Sequence, residues 1–163
     1  MSKTRVLMVC LGNICRSPTA QGIFEHRVQQ RGLTHCIEVD SAGTSGWHIN
    51  EPPDPRSISA ALTRGYDLST QRGRQVTEQD FAEFHYVLAM DIQNLQALRA
   101  LCPLHYDGYL GRLLDFSKSK RRLDVPDPYH GGSSGFELVL DLIEEASEGL
   151  LQHILRNRPI AKA

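Results

Sequence analysis

The sequence predicts an α/β protein in which a parallel sheet carries helices on both faces, forming one three-layer domain over residues 1–163. Three observations predict it. Short apolar runs alternate along the chain with segments of helical periodicity. The first run, Val6 to Cys10, is apolar at consecutive positions, as in a strand covered on both sides. No repeat, linker or low-complexity segment divides the 163 residues, a length suited to one core.

Each element has its own signal. Arg5 to Cys10 is the first strand. Ser17-Pro18 then opens a helix, with Ser17 as N-cap and Pro18 at the first helical position. Ala20, Ile23, Phe24 and Val28 follow at helical spacing, and Gly32 ends it. Ile37 and Val39 alternate with polar neighbours in a second strand that ends near Ser41. Asp54-Pro55 repeats the cap-plus-proline signal ahead of Ile58, Ala61 and Leu62, with Gly65 as the stop. Thr77-Glu-Gln-Asp80 opens a short helix in the manner of a capping box. His85 to Met90 is a third buried strand, and Asp91 to Leu101 a helix with Leu95, Leu98 and Leu101 on one face. Leu110 to Leu114 is a weak fourth strand, and Phe136 to Leu155 a long amphipathic closing helix.

Composition narrows the function classes. A net charge of −1 offers nothing to nucleic acid or to an acidic surface. No apolar run approaches a membrane span, and the N-terminus lacks a signal peptide's cleavage pattern, so the expected location is the cytoplasm. Four cysteines (Cys10, Cys15, Cys36 and Cys102) are too few for a secreted disulfide framework, and they lack the paired spacing of a zinc site.

In a parallel sheet ligands bind beyond the carboxyl ends of the strands. Cys10, Ser41 and Asp91 lie at three such predicted ends, which points to one site. The segment Cys10-Leu-Gly-Asn-Ile-Cys-Arg-Ser-Pro18 places a cysteine, five residues and an arginine between a strand and a helix. A loop entering a helix presents free backbone N–H groups, which suit a phosphate dianion. Gly12 and Asn13 tolerate positive φ, which a tight loop needs to turn its amides inward. Inward amides and a nearby guanidinium favour a thiolate at Cys10, the form that attacks phosphorus. Arg16 offers a planar fork matched to two phosphate oxygens. Far along the chain, Asp127 lies in Val125-Pro-Asp-Pro-Tyr-His-Gly131, where Pro126 and Pro128 restrict the backbone around it. Its carboxyl can give a proton to a departing oxygen. Trp47 and Tyr129, in predicted loops, can wall an aromatic leaving group.

These segments resemble the low-molecular-weight protein tyrosine phosphatases. The matching residues are Val9 to Pro18, Asp40-Ser-Ala-Gly43, Arg74-Gln-Val-Thr77 and Asp127-Pro-Tyr129, in the family's order from about Arg5 to about Leu155. The resemblance implies a four-stranded parallel sheet and a two-step reaction on phosphotyrosine. Cys10 would form a phosphocysteine, Arg16 would grip the phosphoryl oxygens, and Asp127 would act as acid and then as base. The phosphate-binding loop would comprise Cys10, Leu11, Gly12, Asn13, Ile14, Cys15, Arg16 and Ser17. Ser17 would donate to the Cys10 sulfur, Asn13 and Ser41 would support the loop, and Cys15 would protect Cys10 as a reversible disulfide. Trp47 and Tyr129 would form the substrate rim. Neither metal nor cofactor is implied. The expected partners are tyrosine-phosphorylated proteins and a tyrosine kinase, with no nucleic acid or membrane, and the chain is expected to be a monomer.

Two positions depart from the family pattern. Gln71 stands where a histidine would brace Asn13 and Ser41, and a glutamine can replace part of that bonding. His130 follows Tyr129 where a second aromatic is common. Three other readings use the same loop. Arsenate reduction would need a close late cysteine pair, which Cys36 and Cys102 do not form. A phosphoarginine phosphatase would carry threonine where Ile14 stands. A binding module without catalysis would have lost Cys10 or Asp127.

Overall fold

A computed structural model describes residues 3–119, 122–129 and 132–157. Four parallel strands, β1 (Thr4–Cys10), β2 (Ile37–Gly43), β3 (Tyr86–Ala89) and β4 (Tyr109–Arg112), form one sheet in the order β2-β1-β3-β4. The helices are α1 (Arg16–Gln30), α2 (Pro55–Leu62), α3 (Asp80–Glu83), α4 (Ile92–Leu101) and α5 (Ser133–Asn157). From β1 the chain winds outward through α1 to β2; from β3 it winds the other way through α4 to β4. Right-handed crossovers in opposite directions place α1 and α4 on opposite faces. The three layers follow from this, and so does a crevice where the winding reverses, at the carboxyl ends of β1 and β3.

The strand side chains divide as strand geometry requires. Val6, Met8, Cys10, Tyr86 and Leu88 join α1 and α5 in one core, with Phe24, Ile23, Leu140 and Ile143 fully enclosed. Leu7, Val9, Val87 and Ala89 join Phe81, Phe84, Leu95 and Leu98 in the other. Both sides are apolar, which is why the sequence runs are continuous rather than alternating. Among the described residues no helix is long and apolar enough to cross a membrane.

Several boundaries differ from the sequence expectation, each for a local reason. Helix α1 begins at Arg16, and Ser17 is not its cap: the residue before the helix, Cys15, makes no side-chain cap bond. The Ser17 hydroxyl is turned to Cys10 and Asn13 instead. Gly32 does end α1, at φ 67°, as Gly65 follows α2 at φ 88°. Asp54 caps α2 by accepting from the Arg56 N–H at 2.8 Å. The turn at Thr77 forms half of the expected box: Asp80 accepts the Thr77 N–H at 2.8 Å, but the helix itself runs only from Asp80. The fourth strand ends at Arg112, because the Asp115 carboxylate accepts the Arg112 N–H at 3.0 Å and turns Leu113–Phe116 into a 3-10 helix.

Candidate active site

The loop between β1 and α1 lines a cleft of about 270 Å³ at the crevice. Its walls include Cys10, Ile14, Cys15 and Arg16 from the loop, Trp47 and His48 from the segment after β2, and Asp127 and Tyr129 from the segment before α5. Leu11 and Gly12 complete the lining. Ser17, Asn13 and Ser41 lie behind this surface, each buried. His130 lies outside the described residues.

Asn13 takes the left-handed conformation at φ 58°, but Gly12 does not. The need for glycine at position 12 is instead room: a Cβ there would come within 3.2 Å of the His48 ring. Gly43, at the end of β2, has a stricter need, since a Cβ would lie 2.8 Å from the Leu11 carbonyl oxygen. The phosphate-type loop therefore rests directly on strand backbone.

Hydrogen bonds converge on the Cys10 sulfur. The Asn13 N–H donates to it at 3.3 Å, and the Ser17 hydroxyl lies at 3.0 Å. The direction at Ser17 follows from its neighbours. Asn13 Nδ2 donates to Ser17 Oγ at 2.8 Å, and among the described residues the other acceptor within reach of the hydroxyl, the Ala42 carbonyl, is at 3.4 Å. The Ser17 hydrogen is thus best placed on the sulfur, where it favours a negative charge.

The Asn13 amide is held on three sides. Nδ2 also donates to Ser41 Oγ at 3.0 Å, and Oδ1 accepts the Arg74 N–H at 3.0 Å. Arg74 in turn pairs with Asp40 and Asp80, each at 3.0 Å. This explains why Asp40-Ser-Ala-Gly43 and Arg74-Gln-Val-Thr77 occur together: one strand end and one loop support the same asparagine. Gln71 replaces only part of the bracing, as a long secondary acceptor for Ser41. The single Ser41 hydrogen goes to Gln21 Oε1 at 2.7 Å, while Gln71 Oε1 is 3.5 Å away. Gln71 also donates to the Pro18 carbonyl at 3.0 Å and so straps the start of α1. The Gln21 amide orientation is consistent from its other end. Burial raises the Glu25 carboxyl, and a hydrogen bond from Gln21 partly relieves it.

Arg16 is buried, with Nη1 donating to Asp91 Oδ2 at 2.6 Å and to the Val125 carbonyl at 3.0 Å. Nη2 is 3.8 Å from Asp127 Oδ2, beyond hydrogen-bond range. Burial opposes its charge, but the facing Cys10 sulfur, the Asp91 hydrogen bond and the Asp91 and Asp127 carboxylates outweigh burial and make the guanidinium more basic than usual. Asp91 has two tasks at once, since its other oxygen accepts the Asn94 N–H at 2.7 Å and caps α4. Asp127 is half-exposed on the rim, and its Oδ1 accepts the Tyr129 N–H at 3.0 Å. Trp47 is 70% exposed and Tyr129 41%, and the Arg56 guanidinium lies over the Tyr129 ring, 5.4 Å from its centre.

Cys15 is buried and behaves unlike a ready nucleophile. Burial pushes its thiol up to about 12; the Ser57 hydroxyl partly offsets this, and Asp54, Cys10 and Asp127 add to the rise. All four cysteines are free thiols. Residues of the site that sequence reasoning missed are Gln21, His48, Arg56 and Arg74, along with the Asp91–Arg16 pair. Gln21 stands one helical turn after Ser17, a spacing that puts both on one face.

Comparisons with known proteins agree with this geometry. The family model described as low molecular weight phosphotyrosine protein phosphatase matches residues 5–160. A low molecular weight protein-tyrosine-phosphatase of Streptomyces coelicolor is 47% identical over 150 residues, covering 90% of this chain and 91% of the relative. The low molecular weight protein-tyrosine-phosphatase YfkJ of Bacillus subtilis is 41% identical over 155 residues, covering 95% and 98%. A crystal structure of a protein tyrosine phosphatase from Entamoeba histolytica superposes with a TM-score of 0.92 at 36% identity, covering 96% of this chain and 99% of that one.

Proposed function

The chain belongs to the low molecular weight phosphotyrosine protein phosphatase family, and from that premise we propose that it hydrolyses phosphotyrosine in proteins through a phosphocysteine on Cys10. The observation that carries this reading is the Cys10 sulfur on the lining of the cleft, with Ser17 and Asn13 donors aimed at it. In the first step the thiolate forms a bond to phosphorus as the bond to the tyrosyl oxygen breaks. Asp127 gives its proton to that oxygen. In the second step water loses a proton to Asp127 and attacks phosphorus, and the S–P bond breaks with Ser17 donating to the departing sulfur. Asp91 and Val125 occupy Nη1 of Arg16, so the Nε–Nη2 edge is the one that grips the phosphoryl oxygens in both steps.

Aromatic side chains at Trp47 and Tyr129 on the cleft lining, with Ile14 on the wall, favour an aryl ester. Phosphotyrosyl peptides are expected to turn over, and phosphoseryl and phosphoarginyl peptides to turn over far more slowly. Equal rates on the three would overturn the assignment of substrate. The partners are then tyrosine-phosphorylated proteins, with a tyrosine kinase as the source of the ester. The reading extends to a monomer working in the cytoplasm without nucleic acid or membrane as partner; the net charge of −1 offers nothing to nucleic acid.

The support behind the loop has a measurable share. Gln21→Ala removes the acceptor of the Ser41 hydrogen, and the expected loss in kcat is about 2- to 13-fold, the scale of one neutral hydrogen bond. A larger loss in Gln71→Ala than in Gln21→Ala would assign the brace to Gln71 after all.

Cys15 is proposed as the protective thiol. Peroxide oxidises the Cys10 thiolate to a sulfenic acid; the Cys15 thiolate then attacks that sulfur, hydroxide leaves, and a disulfide forms. Since Cys15 is raised to about 12, its thiolate fraction grows about tenfold per pH unit below that value. Ring closure after a peroxide pulse should accelerate with pH across the neutral and mildly alkaline range. Under excess peroxide, recovery of activity with dithiothreitol should be lost in Cys15→Ala, because its unprotected Cys10 sulfenic acid goes on to irreversible sulfinic acid; recovery equal to the parent's under that excess would dismiss the role.

A further inference from the structure

We infer that Arg56 is a positioning residue that holds the acid-bearing segment Asp127–Tyr129 over the cleft, an inference that rests on the reading of Asp127 as the general acid. Asp127 has little to fix it directly. Its Oδ1 accepts the Tyr129 N–H at 3.0 Å, and among the described residues Oδ2 has only the loose 3.8 Å approach to Arg16. The placement of the carboxyl therefore depends on the placement of the Tyr129 peptide.

Arg56 holds the same residue through its other backbone group. Its Nη2 donates to the Tyr129 carbonyl oxygen at 2.9 Å. The same guanidinium is held in turn by Asp54, with Nε to Oδ1 at 3.1 Å and Nη2 to Oδ2 at 2.9 Å. Asp54 is buried, and its N–H donates to the Ile14 carbonyl of the loop at 2.8 Å. A continuous path thus runs from the loop that carries the nucleophile to the segment that carries the acid. The guanidinium also lies over two rings, 5.4 Å from the centre of Tyr129 and 5.0 Å from that of Phe136 at the start of α5. A planar donor with two edges and two faces suits this position; a lysine would lose the paired contact with Asp54. The effect on Asp54 is consistent: the Arg56 hydrogen bond holds its carboxyl below the usual range, against burial.

The test compares kcat/KM, which reports the first chemical step, for phenyl phosphate and for a nitrophenyl phosphate. Four proteins are measured: the parent, Arg56→Ala, Asp127→Ala and the double variant. Arg56→Ala is expected to lose about 10-fold on phenyl phosphate, the low end for a hydrogen bond to a charged group, and less than about twofold on the nitrophenyl ester, as expected for a defect confined to acid catalysis. In the Asp127→Ala background the Arg56 change should be nearly silent, since groups acting as one unit are not additive. Arg56→Gln, which keeps an amide donor, should fall between parent and alanine variant, and it serves if the alanine variant fails to fold. An equal loss on both esters, or a full loss surviving in the double variant, overturns the role of Arg56. Leaving-group discrimination in Asp127→Ala but not in Arg56→Ala overturns Arg56 alone. No discrimination in Asp127→Ala overturns the acid reading, and the inference with it.

Discussion

Cys10→Ser is expected to abolish turnover of aryl phosphates, with a fall of roughly 10⁴- to 10⁶-fold, the range seen when enzymes lose a covalent nucleophile. Cys10 is 3% exposed and lines the cleft, and two donors reach its sulfur. A serine oxygen in the same place would receive the same hydrogen bonds. It would still be an un-ionised alcohol at neutral pH, and among the described residues no general base stands behind it to take its proton. The Ser17 hydroxyl cannot take that role, because its oxygen already accepts from Asn13. The variant should nevertheless bind inorganic phosphate, since the loop amides and Arg16 are untouched. Steady-state rates and phosphate binding by calorimetry check the two halves. Turnover above about 1% of the parent rate, far outside that range, would remove Cys10 as nucleophile. Lost phosphate binding would mean that the loop itself had collapsed.

How much of this was legible in the sequence depends on the range of the interaction. Strand runs and helix stops are local, so β1, α1 and the glycine stops at Gly32 and Gly65 are readable, and so is the Cys10–Arg16 loop. Ser17-Pro18 misleads for an instructive reason. A serine before a proline is a good cap in isolation, but here its hydroxyl has a stronger use at Cys10 and Asn13. Gly12 likewise looks like a positive-φ residue and is instead a place where the His48 ring comes close. The supports are long-range. Arg74 meets Asn13 across 61 residues, Arg16 meets Asp91 across 75, and Arg56 meets Tyr129 across 73. No periodicity or spacing encodes such pairs. Gln21 is the exception, because one helical turn relates it to Ser17. The replacement at Gln71 draws attention away from it.

Asp127→Ala carries the second large effect, and its signature separates acid catalysis from simple damage. The carboxyl sits on the rim rather than in the core, so its removal should leave the loop and the fold intact. For a poor leaving group such as phenolate, the departing oxygen needs a proton in the transition state. The expected loss in kcat/KM is about 10²- to 10⁴-fold, or roughly 2.7–5.5 kcal/mol of barrier. A nitrophenolate carries its own charge and should lose far less in that first step. The second step still needs Asp127, now to take a proton from water. With the nitrophenyl ester the variant should therefore show a burst of nitrophenolate equal to the enzyme present, followed by slow turnover, with phosphate held on Cys10. Rapid-quench detection of that adduct, together with the burst, tests both roles of one carboxyl. A uniform loss on all esters without a burst would mean that Asp127 shapes the rim and moves no proton.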